Sequence, residues 1–469
     1  MRQSLAFLAF VHITSALQLP FLPASHTEGY KFDPLLHLPG ISPYFDAIGS
    51  GLNHEAPRDC VVTAASYLIR HAAIYANDKD YEDYIEPFIK KLNSTIKEVK
   101  FGGKRRAGWT GPLSFFGKWK NPIDDPDSQL EQITPQGIVD SKKVCKHLLS
   151  RYPDLVHTTK KIYADKKSRT KDTAAAFVKS FPQPVEIIEV GNNRSSFHSQ
   201  NPHKACNAFS KEPGDAELDI FMNKYTPSVI ARLQPFSPVE LEKKDIMGLQ
   251  QLCGYESAIT GKKSLICNVF TDDEWMDYEY AWDLKYLHMV GHGNPLSPYL
   301  GFPWLNTTAQ LFEKFHADGA EDDGQRFFIS FTHREVPPFI ATALGLFNSS
   351  NAFAEEFPTD RINWSRSWKM AELIPFLGHV GIEKMTCKRA GGGLGVSGEA
   401  EKMEYVRIIA NSAPRPIPLC QDGPGASCSF DGFQALVAEG MRIFGDFDGA
   451  CGNNKDEEDK KINEFKEDL

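Results

Sequence analysis

The chain has 469 residues, with 52 Lys and Arg against 61 Asp and Glu and a net charge of −9 with His neutral. A polyanion binder favours a basic face, so this balance excludes nucleic acid as a general partner, and any anionic ligand must be met by a local cluster of Arg and Lys. Hydrophobic residues at 41% and charged residues at 24% exclude wholesale disorder, and the length asks for two or three domains or one core with a large insertion.

Met1-Arg2-Gln3, the apolar run Leu5 to Ile13 and the small residues Thr14-Ser15-Ala16 read as a secretory signal over residues 1–16, with Pro20 and Pro23 following at once. No later stretch approaches the ~20 apolar residues of a bilayer span, so a secreted product without a membrane span is expected. Acceptor sequons at Asn93, Asn193, Asn306, Asn348 and Asn363 fit a glycosylated surface. Nine cysteines are spread along the chain without a CxxC metal pattern, and an oxidising route favours disulfides. The number is odd, so one thiol is left over. Cys145 is the nominee, on the apolar side of a predicted helix with Ile138, Leu148, Leu149 and Tyr152, where a cysteine behaves as a small hydrophobe.

Val61 to Ile69 reads as a short apolar strand that delivers Arg70-His71 at its C-terminal end, where ligands sit in open α/β sheets. An amphipathic stretch follows through Tyr81, Tyr84, Ile85, Phe88, Ile89, Leu92 and Ile96, with Asp78 as predicted N-cap and Pro87 set to kink or restart it. Residues 101–132 show no sustained period and read as a long loop. Thr134-Pro135 opens another helix with a capping hydroxyl and a first-turn proline. Lys161 to Ala164 reads as a second core strand, leading through Arg169 into a helix that buries Ala174, Phe177, Val178 and Phe181. Glu186 to Val190 is a third strand.

From 201 to 285 the pattern turns helical, with a capping box at Thr271-Asp272-Asp273-Glu274, and is read as an α-helical insertion. The core, taken as 17–200 and 286–452, resumes with the strand Phe327 to Thr332, which ends at His333-Arg334-Glu335. A helix from Val336 carries Pro337 and Pro338 in its first turn. Val406 to Ala410 is a further strand and Phe433 to Phe444 a late helix. Residues 453–469 form a charged tail predicted to be mobile. Its final Lys-Glu-Asp-Leu only approximates an endoplasmic-reticulum retention address, so retention is not expected.

Three predicted strand ends thus present Arg70-His71, Arg169, and His333 with Glu335. Cleaving a phosphomonoester needs cations on the equatorial oxygens, an in-line nucleophile and an acid for the departing oxygen. Arg grips phosphate through its planar fork, neutral His can act as a covalent nucleophile, and Glu335 can supply a proton at acidic pH. Tyr67-Leu-Ile-Arg-His-Ala-Ala-Ile-Tyr-Ala76 resembles the RHGxRxP signature of the histidine acid phosphatases, the branch of the histidine phosphatase superfamily that includes fungal phytases. Ile133-Thr-Pro-Gln-Gly137 resembles that family's LTPxG segment, Ser168-Arg169-Thr170 its second phosphate-binding arginine, Gly293-Asn-Pro-Leu296 its GNPLG turn, and Thr332-His-Arg-Glu335 with Ala343-Leu-Gly-Leu346 its HD or HAE motif. The likeness spans roughly residues 35 to 451.

The resemblance implies a phosphoglycerate-mutase-like α/β core, its mixed sheet flanked by helices, with a smaller inserted α-helical domain and a cleft between them. It implies His71 as nucleophile, Arg70, Arg169 and His333 as phosphate contacts and Glu335 as proton donor, acting on a small phosphomonoester without metal or other cofactor. It also implies the bridges Cys60–Cys387, Cys206–Cys451, Cys253–Cys267 and Cys420–Cys428.

Three positions depart from the signature: its glycine is Ala72, its second arginine Ile74 and its proline Ala76. Losing a guanidinium removes charge-assisted hydrogen bonds worth about 1.5–3 kcal/mol each, which raises a rival reading: a relative that binds phosphorylated ligands with little turnover. The basic loop Lys104-Arg105-Arg106 reads as a solvated loop, the rival reading being that it compensates for the missing guanidinium. A glycosidase needs two positioned carboxylates, and no pair stands out. His288 and His292 have zinc-pair spacing but lack the HExxH glutamate. Gly393-Leu-Gly-Val-Ser-Gly398 matches GxGxxG, yet Cys387-Lys-Arg before it is not read as a strand, so a loop is expected.

Overall fold

Apolar runs decide the centre of the sheet, and the computed structural model describes it within residues 31–101, 108–190, 199–314, 324–348, 357–388 and 402–453. The leader, Asn193, the loop 104–106, the glycine run 393–398 and the tail beyond Asn453 lie outside the described residues. The strands are β1 (Cys60–Arg70), β2 (Lys161–Asp165), β3 (Glu186–Val190), β4 (Phe327–Thr332), β5 (His379–Lys388), β6 (Lys402–Ala410), β7 (Ala413–Arg415) and β8 (Cys428–Ser429). Their order is β3-β2-β4-β1-β5-β6-β7, with β8 paired to β6. β3, β2, β4 and β1 are parallel neighbours, and β5 to β8 are paired antiparallel. The sheet is therefore mixed.

Successive residues of a strand face opposite sides, and β1 divides accordingly: Ala64 and Leu68 join a large core on one face, while Ala65, Tyr67 and Ile69 join a smaller one on the other. The longer helices among the described residues are α1 (Glu86–Phe101), α2 (Pro135–Arg151), α3 (Ser168–Val178), α4 (Asp215–Leu233), α5 (Lys243–Thr260), α6 (Asp272–Val290), α7 (Ser297–Glu313), α8 (Val336–Ala343) and α9 (Phe430–Phe444). Val144, Cys145 and Leu148 of α2 and Ala174 and Phe177 of α3 cover the smaller core, against Ile162, Ala164, Ile329 and Phe331 of the sheet. Helices α4 to α9 contribute to the large one. Thr134 caps α2 by accepting from the Gly137 N–H, and Thr271 and Glu274 exchange hydrogen bonds across the start of α6.

Local departures from expectation have physical causes. Asn77, not Asp78, holds the N-cap position ahead of Asp78, and a π turn at Tyr81–Ile85 precedes the restart of the helix at Glu86, which places Pro87 in a first turn. The expected loop 101–132 contains a 3-10 segment at Gly111–Gly117 and a short helix at Pro126–Gln129. Helix α3 stops at Val178, leaving Phe181 beyond it, and α6 runs through 285 to Val290.

One reading is overturned: Cys387 and Lys388 end a genuine strand, β5. That strand escapes a hydropathy reading because it buries His379, Glu383 and Lys384. Their charges are matched rather than exposed. Glu383 accepts from Arg151 Nε at 2.9 Å and Arg407 Nε at 2.7 Å, and Lys384 Nζ meets Glu404 at 3.0 Å and the Phe312 carbonyl at 3.0 Å.

The disulfides are Cys60–Cys387, Cys206–Cys451, Cys253–Cys267 and Cys420–Cys428, the pairing the resemblance implies. Cys145 is left free and buried, and burial pushes its thiol up to about 12. Among the sequons, Asn93 and Asn348 are exposed, and Asn306 and Asn363 partly so. His292 Nε2 is bonded to the Leu346 carbonyl at 2.8 Å, a structural role for one of the two histidines with zinc-pair spacing.

Candidate active site

Parallel pairing of β1 with β4 sets Arg70 opposite Thr332, so His71 and His333 leave the sheet side by side. The His71 N–H donates to the Thr332 carbonyl at 2.9 Å, and the two imidazole centroids are 5.9 Å apart. Strand β2, paired to β4 on its other side, ends at Asp165, and the turn beyond it leads to Arg169 in the first turn of α3. All five residues singled out from sequence, Arg70, His71, Arg169, His333 and Glu335, line one pocket.

The segment after His71 is clamped against the start of α2. Ala73 O accepts from the Thr134 N–H at 2.8 Å, Ile74 bridges to Ile133, and the Glu131 N–H donates to Ala76 O at 2.9 Å. A Cβ at Gly137 would lie 2.6 Å from Ala73 O, so the glycine of the Thr-Pro-Gln-Gly segment lets the helix approach this close. The methyl group of Ala72, which replaces the signature's glycine, is fully buried, and its N–H donates to Thr173 Oγ1 at 2.9 Å. The departure at 72 is absorbed by packing.

His71 is 3% exposed and its Nδ1 lies 2.9 Å from the Ala72 carbonyl. A carbonyl only accepts, so Nδ1 carries the proton and Nε2 keeps the lone pair in the neutral ring. Burial, then the charges of Arg169, Arg70 and His333, hold the imidazole well below its ordinary value. Both effects favour the neutral form of the ring.

Arg70 donates from Nη1 to Ile374 O at 2.7 Å and stacks 4.4 Å over Phe376, and burial followed by the charge of Arg334 brings it down to about 10. Arg169 is tethered to Glu131, a residue in the left-handed region at φ 64°. Asp165 Oδ2 meets His333 Nε2 at 2.6 Å and Lys204 Nζ at 2.7 Å, and these partners outweigh burial to hold its carboxyl well below the usual range. His333 is pulled down to about 4, chiefly by burial. Arg70 Nε, Arg169 Nε and His333 Nδ1 are buried without a hydrogen-bond partner among the described residues. The two arginine N–H groups are costly to desolvate unless something accepts from them, and a tetrahedral oxyanion beside His71 would do so; His333 Nδ1 can donate to it only once the ring is protonated, because Nε2–H already faces Asp165.

Glu335 is 3% exposed, and Lys211 Nζ lies 2.8 Å from its Oε1. Burial favours its neutral form, but the charges of Lys211, His203, Arg334 and His333 together keep it well below the ordinary carboxyl value. Sequence reasoning missed Lys211, Lys204, Asp165, Glu131 and Arg334. Only Arg334, between His333 and Glu335, sat inside a recognised motif. Lys211 and Arg334 also face an adjoining cavity of about 300 Å³, lined by Asp80, Asp83, Asp215 and Asp219 among others.

Comparisons with known proteins point the same way. Residues 61–411 match the family model described as the histidine phosphatase superfamily, branch 2. An acid phosphatase of Komagataella pastoris is 27% identical over 470 residues, covering 96% of this chain and 92% of the relative. A phytase of Candida albicans is 25% identical, covering 90% and 88%. Among solved structures, the phytase from D. castellii superposes with a TM-score of 0.75 at 21% identity over 90% of this chain and 88% of that one. The multiple inositol polyphosphate phosphatase of Bifidobacterium longum gives 0.60 at 11% identity, covering 86% and 97%. At such identities these structures speak for the fold.

Proposed function

The chain belongs to the histidine phosphatase superfamily, branch 2, and from that premise we propose how its residues carry out the chemistry. It is a histidine acid phosphatase that hydrolyses phosphomonoesters. In the proposed mechanism, His71 Nε2 attacks phosphorus while Arg70 and Arg169 hold the equatorial oxygens and His333 contacts a further one. The P–O bond to the leaving group breaks, Glu335 gives that oxygen a proton, and phosphate is left on His71. Water, deprotonated by Glu335, then attacks phosphorus, the P–N bond breaks, and inorganic phosphate departs from the free imidazole.

The observation that carries this reading is the Nδ1 contact of His71 with the Ala72 carbonyl inside a pocket of unpartnered buried donors. In the free enzyme Glu335 is a carboxylate, and acid catalysis needs it protonated. An arriving phosphate dianion offsets the neighbouring cations, and acidic medium supplies the proton.

Secretion is part of the proposal, supported by the four disulfides and the leader-like start of the sequence. Among the described residues no helix is long and apolar enough to cross a membrane. The test is phosphate release from an aryl phosphate at acidic pH. His71→Ala should abolish it. Retention of most activity would remove His71 as the nucleophile, and an inactive wild type that still binds phosphate would favour the binding reading.

A further inference from the structure

The pocket around His71 holds a third guanidinium, Arg334, beside those of Arg70 and Arg169. Its only carboxylate contacts among the described residues are Asp80 Oδ2 at 3.6 Å and Glu335 Oε1 at 3.8 Å. Both exceed hydrogen-bond length, so its charge is partly balanced while its fork of N–H donors is not engaged by either acid. Asp80 is in any case shared, since it also accepts from Tyr255 Oη at 2.6 Å. The Arg334 side chain is 14% exposed and lines both the His71 pocket and the cavity next to it.

Arg70 and Arg334 thus bring two positive groups to one buried pocket, and the charge of Arg334 opposes that of Arg70. Their repulsion is relieved when an anion lies between them. In the same pocket Ile74, buried and bridged to Ile133, stands where the resemblance places an arginine. The signature has lost a cation at 74, and the His-Arg-Glu triplet carries one at 334.

We propose that Arg334 is a third phosphate-binding arginine, a guanidinium that approaches the substrate's phosphoryl oxygens from just beyond the end of β4 and replaces the one absent at position 74. This rests on the phosphatase reading above. It accounts for a functional pocket despite Ile74, and it makes the two departures, Ile74 and Arg334, a single exchange.

The experiment compares wild type with R334Q, R334K and the double variant R334Q/I74R, using competitive inhibition by inorganic phosphate, kcat and KM on an aryl phosphate, and thermal midpoints. R334Q keeps a hydrogen-bonding side chain of similar reach and should weaken phosphate inhibition and raise KM about ten- to a hundredfold, from the loss of charge-assisted hydrogen bonds. R334K, a point charge without the fork, should fall between. I74R in the R334Q background should recover part of the phosphate affinity, a rescue that a merely structural role does not predict. Unchanged phosphate inhibition in R334Q and R334K, with only a lowered thermal midpoint, would overturn the proposal and leave Arg334 as a clamp between Asp80 and Glu335. Failure of the underlying reading looks different: wild type itself would neither release phosphate nor be inhibited by it.

Discussion

Lys211 offers the sharpest test of how Glu335 is tuned. Its ammonium lies 2.8 Å from a carboxylate that is 3% exposed, and among the charges acting on that carboxylate it is the one that lowers it most. A charge-assisted hydrogen bond is worth about 1.5–3 kcal/mol. Lys211 itself is 51% exposed, and solvent screening at such a site discounts this to about 1 kcal/mol.

Lys211→Met should therefore raise the Glu335 value. The working form of a general acid is protonated, so activity is lost as pH rises through this value, and raising it moves the alkaline limb of the profile upward. The assay is kcat and kcat/KM against pH on an alkyl phosphate, whose poor leaving group needs the proton, with an aryl phosphate as control. Glu335→Gln should remove the limb and cost the alkyl ester about 10²- to 10⁴-fold in kcat/KM while sparing the kcat/KM of the aryl ester, although kcat falls for both because Glu335 also deprotonates the attacking water. An alkaline limb that stays in place or moves down in Lys211→Met would refute the reasoning, as would equal losses of kcat/KM for both esters in Glu335→Gln.

Asp165→Asn should lower the thermal midpoint and stability by about 3 kcal/mol, because it leaves the Lys204 ammonium and His333 without their carboxylate; a denaturant titration checks this, and an unchanged midpoint contradicts it. Cys145, buried and with its thiol pushed up to about 12, should not react with a thiol reagent in the native protein and should give one equivalent on unfolding. Asp80, Asp83, Asp215 and Asp219 face the cavity beside the pocket, and two of its cations, Lys285 and Lys211, already pair with Asp215 and Glu335. Simple aryl phosphates should accordingly show higher kcat/KM than inositol hexakisphosphate, and Asp83→Asn with Asp219→Asn should narrow that ratio; the reverse order would show that the cavity does not select by charge.

What was legible in the sequence follows from how burial is encoded. Strands β1 and β4 announce themselves as apolar runs that stop at ionisable residues, and that juncture put His71, His333 and Glu335 in view. Strand β5 does the opposite, hiding His379, Glu383 and Lys384 among matched charges that hydropathy reads as surface. Helix α7 went unseen because Gly301 and Pro303 interrupt a segment that is apolar on most sides. Lys204 and Lys211 reach the site from the chain beyond β3, and Glu131 from a turn with positive φ; ordinary charged residues at such points carry no pattern. Arg334 was visible all along but resembled filler between two motif residues.

The register of β1 against β4 has a consequence for biosynthesis. His71 and His333 come from opposite ends of the polypeptide's order of synthesis, and they become neighbours only when strands far apart in the sequence pair in parallel. No early fragment of the nascent chain can contain both histidines, and closing so distant a contact is intrinsically slow. Turnover of a chromogenic ester would thus report completion of the central pairing, making catalysis itself a clock for maturation.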